Sequence, residues 1–199
     1  MCAKLWGTMS TLSVNFKSTV AALLIGVGNF LPAAGFAEVG TERSDDLIRQ
    51  LAEAPDADAA RSLEREIELE WSKSGSVSMD FLLKRGRDAL AVNDFGLAID
   101  HLTALTDHAP DFAEGWHTLA MAYFNADMVG PTMYALERTL ALNPDHFGAL
   151  RGLGAVFDQI GDPARAYDAY DKALSIRPFD KEVEEARDRL TAHSRGTTL

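Results

Sequence analysis

Residues 147–180 read FGALRGLGAVFDQIGDPARAYDAYDKALSIRPFD, and the punctuation of this stretch decides the fold. Apolar residues recur at helical spacing on either side of Gly161-Asp162-Pro163. Glycine suits the left-handed position that ends a helix, aspartate suits the N-cap of the next, and proline suits its first turn. Pro178 then closes the second helix. The stretch is therefore predicted to be two short helices joined by a tight turn.

Working outward, the same pattern recurs at a shift of 34 residues. Pro110, Pro144 and Pro178 are spaced by 34 and 34. The shift also aligns Leu82, Trp116 and Leu150; Gly86, Ala120 and Gly154; Ala89, Tyr123 and Phe157; and Leu102, Leu136 and Tyr170. Small residues at Gly86, Ala120, Gly154, Ala98 and Ala166 would let helices approach closely while the larger side chains fill the space beside them.

Trp116-x-x-Leu119-Ala120-x-x-Tyr123 and Leu153-Gly154-x-x-Phe157…Ala166-x-x-x-Tyr170…Pro178 resemble the tetratricopeptide signature. The resemblance implies an all-α, right-handed superhelix of helical hairpins with about three repeats, at 79–112, 113–146 and 147–180. The first repeat departs most, with Arg85 where Leu119 and Leu153 stand. In the second, Asp127 replaces Gly161 and Thr132 replaces Ala98 and Ala166, so a looser turn is expected there.

The repeats are flanked by two further segments. Leu47, Leu51, Leu63, Ile67 and Trp71 lie at helical spacing around Pro55-Asp56, so 38–78 is read as an N-terminal helix pair, a degenerate repeat or cap. Val183, Ala186 and Leu190 form one apolar stripe on a charged segment, which makes 181–193 a capping helix; 194–199 is a tail. Residues 1–37 differ from all of these. Lys17, the apolar run Val20 to Val27, and the small residues Ala33, Ala34, Gly35 and Ala37 follow the order of a secretory signal peptide, with a cut expected after Ala37. The run is too short and too interrupted for a spanning helix, so no membrane insertion is expected after cleavage. Periplasmic export is the expectation.

Thirty acidic residues against 19 Lys plus Arg give a net charge of −11. Removal of the leader takes only Lys4 and Lys17, leaving 17 bases against 30 acids, or −13. Such a surface repels phosphate backbones and anionic headgroups, so nucleic acid is not an expected partner. The single cysteine, Cys2, would leave with the leader. No phosphate-binding loop, nucleophile elbow or paired-cysteine metal pattern occurs, and the histidine spacings fit no H-E-x-x-H motif. Neither catalysis, a cofactor nor a metal is expected. His101, His108, His117 and His146 are read as scattered surface or groove residues.

What remains is recognition of a protein or peptide. The resemblance implies that the first helix of each hairpin lines a concave groove. At the inward positions stand Leu83, Arg87 and Leu90 in the first repeat, His117, Met121, Phe124 and Asn125 in the second, and Arg151 and Gln159 in the third. Leu83, Leu90, Met121 and Phe124 would form a semi-exposed apolar patch, with Arg87 and Arg151 beside it to meet a carboxylate. Periodicity leaves Leu90 and Phe124 open between groove and core. Relatives that clamp the C-terminal carboxylate of cytosolic chaperones use Lys and Asn where this chain has Leu83 and Arg87, so that activity is not implied. The competing expectation is a structural component of an envelope assembly, docking through its convex face or its N-terminal helix pair.

Overall fold

The computed structural model describes residues 35–196. Helices α1 (Gly35–Ala52) and α2 (Ala57–Trp71) form an N-terminal hairpin. Three more hairpins follow: α3 (Val77–Ala91) with α4 (Phe95–His108), α5 (Ala113–Asn125) with α6 (Val129–Leu142), and α7 (Phe147–Gln159) with α8 (Pro163–Ile176). Helix α9 (Lys181–Gly196) closes the array, and no strand occurs among the described residues. The fold is thus an all-α solenoid of the expected kind. The expected leader lies mostly outside the described residues, and α1 begins earlier than the pattern around Asp45 suggested.

Each of the three hairpin turns is built alike. Asn93 (φ 59°), Asp127 (φ 58°) and Gly161 (φ 78°) occupy the left-handed region at 34-residue intervals. The next residue's N–H reaches back to the helix, Asp94 to the Ala89 carbonyl at 2.9 Å, Met128 to Tyr123 at 2.9 Å and Asp162 to Phe157 at 2.8 Å. These are Schellman closures, which satisfy carbonyls that the helix end would leave bare. The turn at Asp127 is therefore no looser than the others, contrary to expectation. Aspartate tolerates this conformation better than most side chains, and Thr132 is accommodated by a hydrogen bond from its hydroxyl to the Met128 carbonyl at 2.9 Å. The opposite ends are alike too. Ala109, Asn143 and Arg177, each preceding proline, leave the helical region and end α4, α6 and α8.

Close approach explains the small residues. A Cβ on Gly86 would lie 2.4 Å from the Leu102 side chain, and one on Gly154 would lie 2.4 Å from the Tyr170 ring. Val183, Ala186 and Leu190 of α9 are buried as expected, and Asp180 caps that helix through the Val183 N–H at 3.2 Å.

The N-terminal hairpin does not stack on the first repeat. Leu47, Leu51, Ala60 and Ile67 share a core with Phe147, Tyr170, Ile176 and Val183, while the core around Leu83, Leu102 and Leu119 contains no residue of α1 or α2. Glu64 of α2 pairs with Arg177 at 2.8 Å. The hairpin therefore crosses to the third repeat rather than capping the first. The sequence of α3 fits this: where the second and third repeats place Leu119 and Leu153, and Ala122 and Val156, the first has Arg85 and Asp88, both exposed. Lys84 pairs with Asp88 at 2.6 Å and Arg85 lies over the Phe81 ring at 5.2 Å, so the first repeat is solvated on the face a preceding repeat would cover.

Candidate functional site: a groove walled by the N-terminal hairpin

Helices α3, α5 and α7 present their inward faces to a groove of about 1120 Å³, and α2 supplies its other wall. From the concave side come Arg87, Leu90, His117, Met121, Phe124, Asn125 and Arg151; from α2 come Arg65, Glu68, Leu69 and Trp71. Leu69 (61% exposed), Met121 (45%) and Phe124 (40%) are large apolar side chains open to this space. Leu90 lines it too, although it also packs against the first-repeat core.

Two expected groove residues are placed elsewhere. Leu83 is 2% exposed and belongs to the core with Leu102 and Leu119, because its helical position faces α4 and α5 rather than the concavity. Gln159 is exposed at the last turn of α7 but does not line the groove, which ends at the level of Ala155 on that helix. Asn125 lines it with its amide committed, donating to the Met121 carbonyl at 2.7 Å.

The floor is ionic and mostly buried. Glu114 is 7% exposed. The Arg87 guanidinium donates to its Oε1 at 2.5 Å and to the Ser72 hydroxyl at 3.0 Å, while His146 Nε2 lies 3.0 Å from Oε2. His146 is 2% exposed, so it is no surface residue, and it lines the groove from its buried floor. It stands at the N-cap of α7, where its Nδ1 accepts the Ala149 N–H at 3.2 Å. With Nδ1 accepting, the ring proton sits on Nε2 and is donated to Glu114. Trp71 stacks on the His146 ring at 4.3 Å and 24°, and its indole N–H donates to Ser44 at 2.8 Å. The His117 ring also lies 4.3 Å from that of His146, tilted by 48°.

This burial shifts two titrations. Burial alone would raise the Glu114 pKa, but attraction to His117 and the hydrogen bond from His146 outweigh it and hold the carboxyl well below its usual range. His146 is pushed down to about 4 by burial and then by repulsion from His117, against the pull of Glu114. At neutral pH the floor thus holds a carboxylate and an uncharged imidazole.

Glu114, His117 and His146 bring one donor atom each within 4.8 Å of one another, a composition that transition metals accept. Their hydrogen bonding does not suit one. A ligating imidazole donates its other N–H to an acceptor, whereas His146 Nδ1 faces the Ala149 N–H, and Arg87 already occupies Glu114 Oε1. The cluster reads as a structural junction between α3, α5, α7 and the end of α2.

Sequence reasoning missed the contribution of α2, and with it Arg65, Leu69 and Trp71, because that helix lies outside the 34-residue register. A signal for His146 did exist: 34 residues later Asp180 holds the equivalent N-cap of α9.

A solenoid of three matched helical hairpins with a concave, residue-lined face defines a repeat scaffold of the interaction type. The tetratricopeptide repeat profile matches residues 135–181. A TPR repeat-containing protein of Rhizobium etli is 33% identical over 144 residues, covering 72% of this chain and 71% of its own. The chain belongs to the tetratricopeptide repeat family, whose members are for the most part non-enzymatic interaction modules. Among solved structures, MamA is similar over 82% of this chain and 85% of its own, with a TM-score of 0.57 and 23% identity. The Sgt2 domain of Aspergillus fumigatus is similar over 61% and 82%, with a TM-score of 0.58 and 19% identity. The first such domain of Spaghetti, solved with the HSP90 peptide SRMEEVD, is similar over 59% and 93%, with a TM-score of 0.57 and 20% identity. No helix among the described residues is long and apolar enough to cross a membrane.

Proposed function

We propose that the chain is an exported, non-catalytic adaptor that holds an extended segment of a protein partner in the groove between α2 and the inner helices. The observation that carries this reading is the cluster of Leu69, Met121 and Phe124, three large apolar side chains open to one groove from two walls. Packing does not require them to be apolar, and apolar surface gathered in a concavity marks a binding site. Periplasmic export is supported by the order of base, apolar run and small residues in 1–37.

Charge refines the partner. Arg87 is committed to Glu114 and Arg177 to Glu64 and Asp180. Among the described groove cations, Arg65 makes no ion pair and Arg151 only a 3.5 Å contact with the exposed Glu182. These two give the groove a positive rim in an acidic protein, suited to a segment with a carboxylate beside a bulky apolar side chain. The peptide of the similar Spaghetti domain, SRMEEVD, is acidic. The carboxylate contacts here rest on Arg65 and Arg151 rather than on the first-repeat positions.

The test is isothermal titration of the partner that co-purifies with the exported protein. Met121→Ala, Phe124→Ala and Leu69→Ala should each weaken binding by more than about 1 kcal/mol, and Arg65→Ala or Arg151→Ala by less, with a flatter salt dependence. Wild-type affinity in all five folded variants overturns the groove reading. Intact-mass measurement of periplasmic material tests export, which a mature chain retaining Val20 to Val27 would contradict.

A further inference from the structure

We propose that the contact of Trp71 with His146 is an acid-sensitive latch, whose release lets the C-terminal end of α2 swing away from α7 and widens the groove. The case begins with the protons. His146 Nε2–H is already donated to Glu114, so a second proton has one place to go, Nδ1. That atom accepts the Ala149 N–H at 3.2 Å, and two N–H groups cannot face each other there. Protonation therefore breaks the cap of α7 and drives the ring from its place under the indole.

The surroundings pull both ways: burial of the ring disfavours its charge most, while the Trp71 face at 4.3 Å attracts an imidazolium. From α5, Glu114 attracts the new charge, but its oxygens already serve Arg87 of α3 and the Nε2–H, and His117 of α5 repels it. From the end of α8, Arg177 lies over the neighbouring Phe147 ring at 5.5 Å. Glu68 and Arg151 line the same groove, and Asp145, next in the chain, is exposed. The balance puts the imidazole at about 4.

The mechanics are local. The body of the hairpin stays held by Leu47, Leu51, Ala60 and Ile67 in the third-repeat core and by the Glu64–Arg177 pair. Beyond Trp71 the chain runs through a short linker to α3, in which Gly75 (φ 78°) has nothing within 4 Å of a notional Cβ. The end of α2 moves once the His146 stack, the Phe147 ring contact at 5.1 Å and the Ser72–Arg87 bond let go, with the linker pivoting at Ser74, which stays tied to Asp80 at 2.6 Å. The latch stands whatever segment the groove binds.

Trp71 is its own reporter. Iodide quenching of tryptophan fluorescence in the full chain should rise as pH falls from 7, with a midpoint between about 4 and 6.5 and unchanged far-UV circular dichroism. The step should vanish in Trp71→Phe, which assigns it, and in His146→Asn, which keeps a cap acceptor without titrating. Should the asparagine variant fold poorly, nitroxides at Lys73→Cys and Asn125→Cys in a Cys2→Ser background give a second reading: their separation should grow over the same range. A step that persists in His146→Asn, a step that coincides with loss of helix, or label distances constant down to pH 4 would each overturn the latch.

Discussion

Arg87 and Glu114, 27 residues apart and on neighbouring repeats, meet at 2.5 Å on the groove floor, so an arginine expected to greet a ligand instead completes the scaffold. Glu114 is buried and Arg87 is 42% exposed at its side chain, which makes the two ends of the pair unequal. Glu114→Gln leaves His146 and Arg87 without their shared acceptor charge and should lower stability by about 1–3 kcal/mol. Arg87→Ala should cost less, since solvent screens the arginine. Urea unfolding of both variants checks the order. A normal midpoint for Arg87→Ala with reduced partner affinity would return that residue to the ligand side.

Gly154 faces the Tyr170 ring at a distance that no side chain can share. Gly154→Ala would place its Cβ 2.4 Å from ring atoms and should destabilise the third repeat by about 1–3 kcal/mol through overpacking. Gly152→Ala, whose Cβ would meet the flexible Leu136 side chain no closer than 3.0 Å, should be milder. Thermal midpoints of the pair decide it; equal values would mean that the α7–α8 contact yields more easily than the ring geometry implies.

Stability should fall with acid before the bulk of the carboxylates titrate. The folded chain holds His146 at about 4 against an ordinary 6.5, so the unfolded chain takes the proton first as pH drops. The stabilisation is full above about 6.5 and is lost as pH falls toward 4, amounting to at most about 3 kcal/mol. Glu114, also lowered, adds loss in the same direction below its ordinary 4.5. Urea midpoints at pH 7 and pH 5 should differ in the wild type and differ less in His146→Asn. Identical differences in the two proteins would show that other groups carry the pH dependence.

The repeats were legible because their chemistry is local and periodic. Gly161, Pro110, Pro144, Pro178 and the small residues at Gly86, Ala120 and Gly154 act through turns and contacts within one hairpin, and a 34-residue shift exposes them. The inward row of Arg87, His117, Met121, Phe124 and Arg151 came from the family resemblance, carried onto that register. Leu83 did not, because a helical face is broad and its edge toward α4 carries core residues. Least legible was the placement of α1 and α2, whose partners Phe147 and Arg177 lie far along the chain and in no register with them. Arg85 set the first repeat apart in the sequence, but nothing there said that the hairpin had left it uncovered, and Asp88 gained its meaning only from the structure.

The most direct test places a photo-crosslinking amino acid in living cells at one position per variant: Leu69 on the hairpin wall, Met121 on the inner face, and Tyr134, 57% exposed on α6, as a position outside the groove. A groove that holds a partner segment predicts the same adduct from positions 69 and 121, mapped by mass spectrometry to one short stretch of that partner, and none from 134. Adducts from 134 alone, with 69 and 121 silent in folded protein, would contradict the groove and move the binding surface to the convex face.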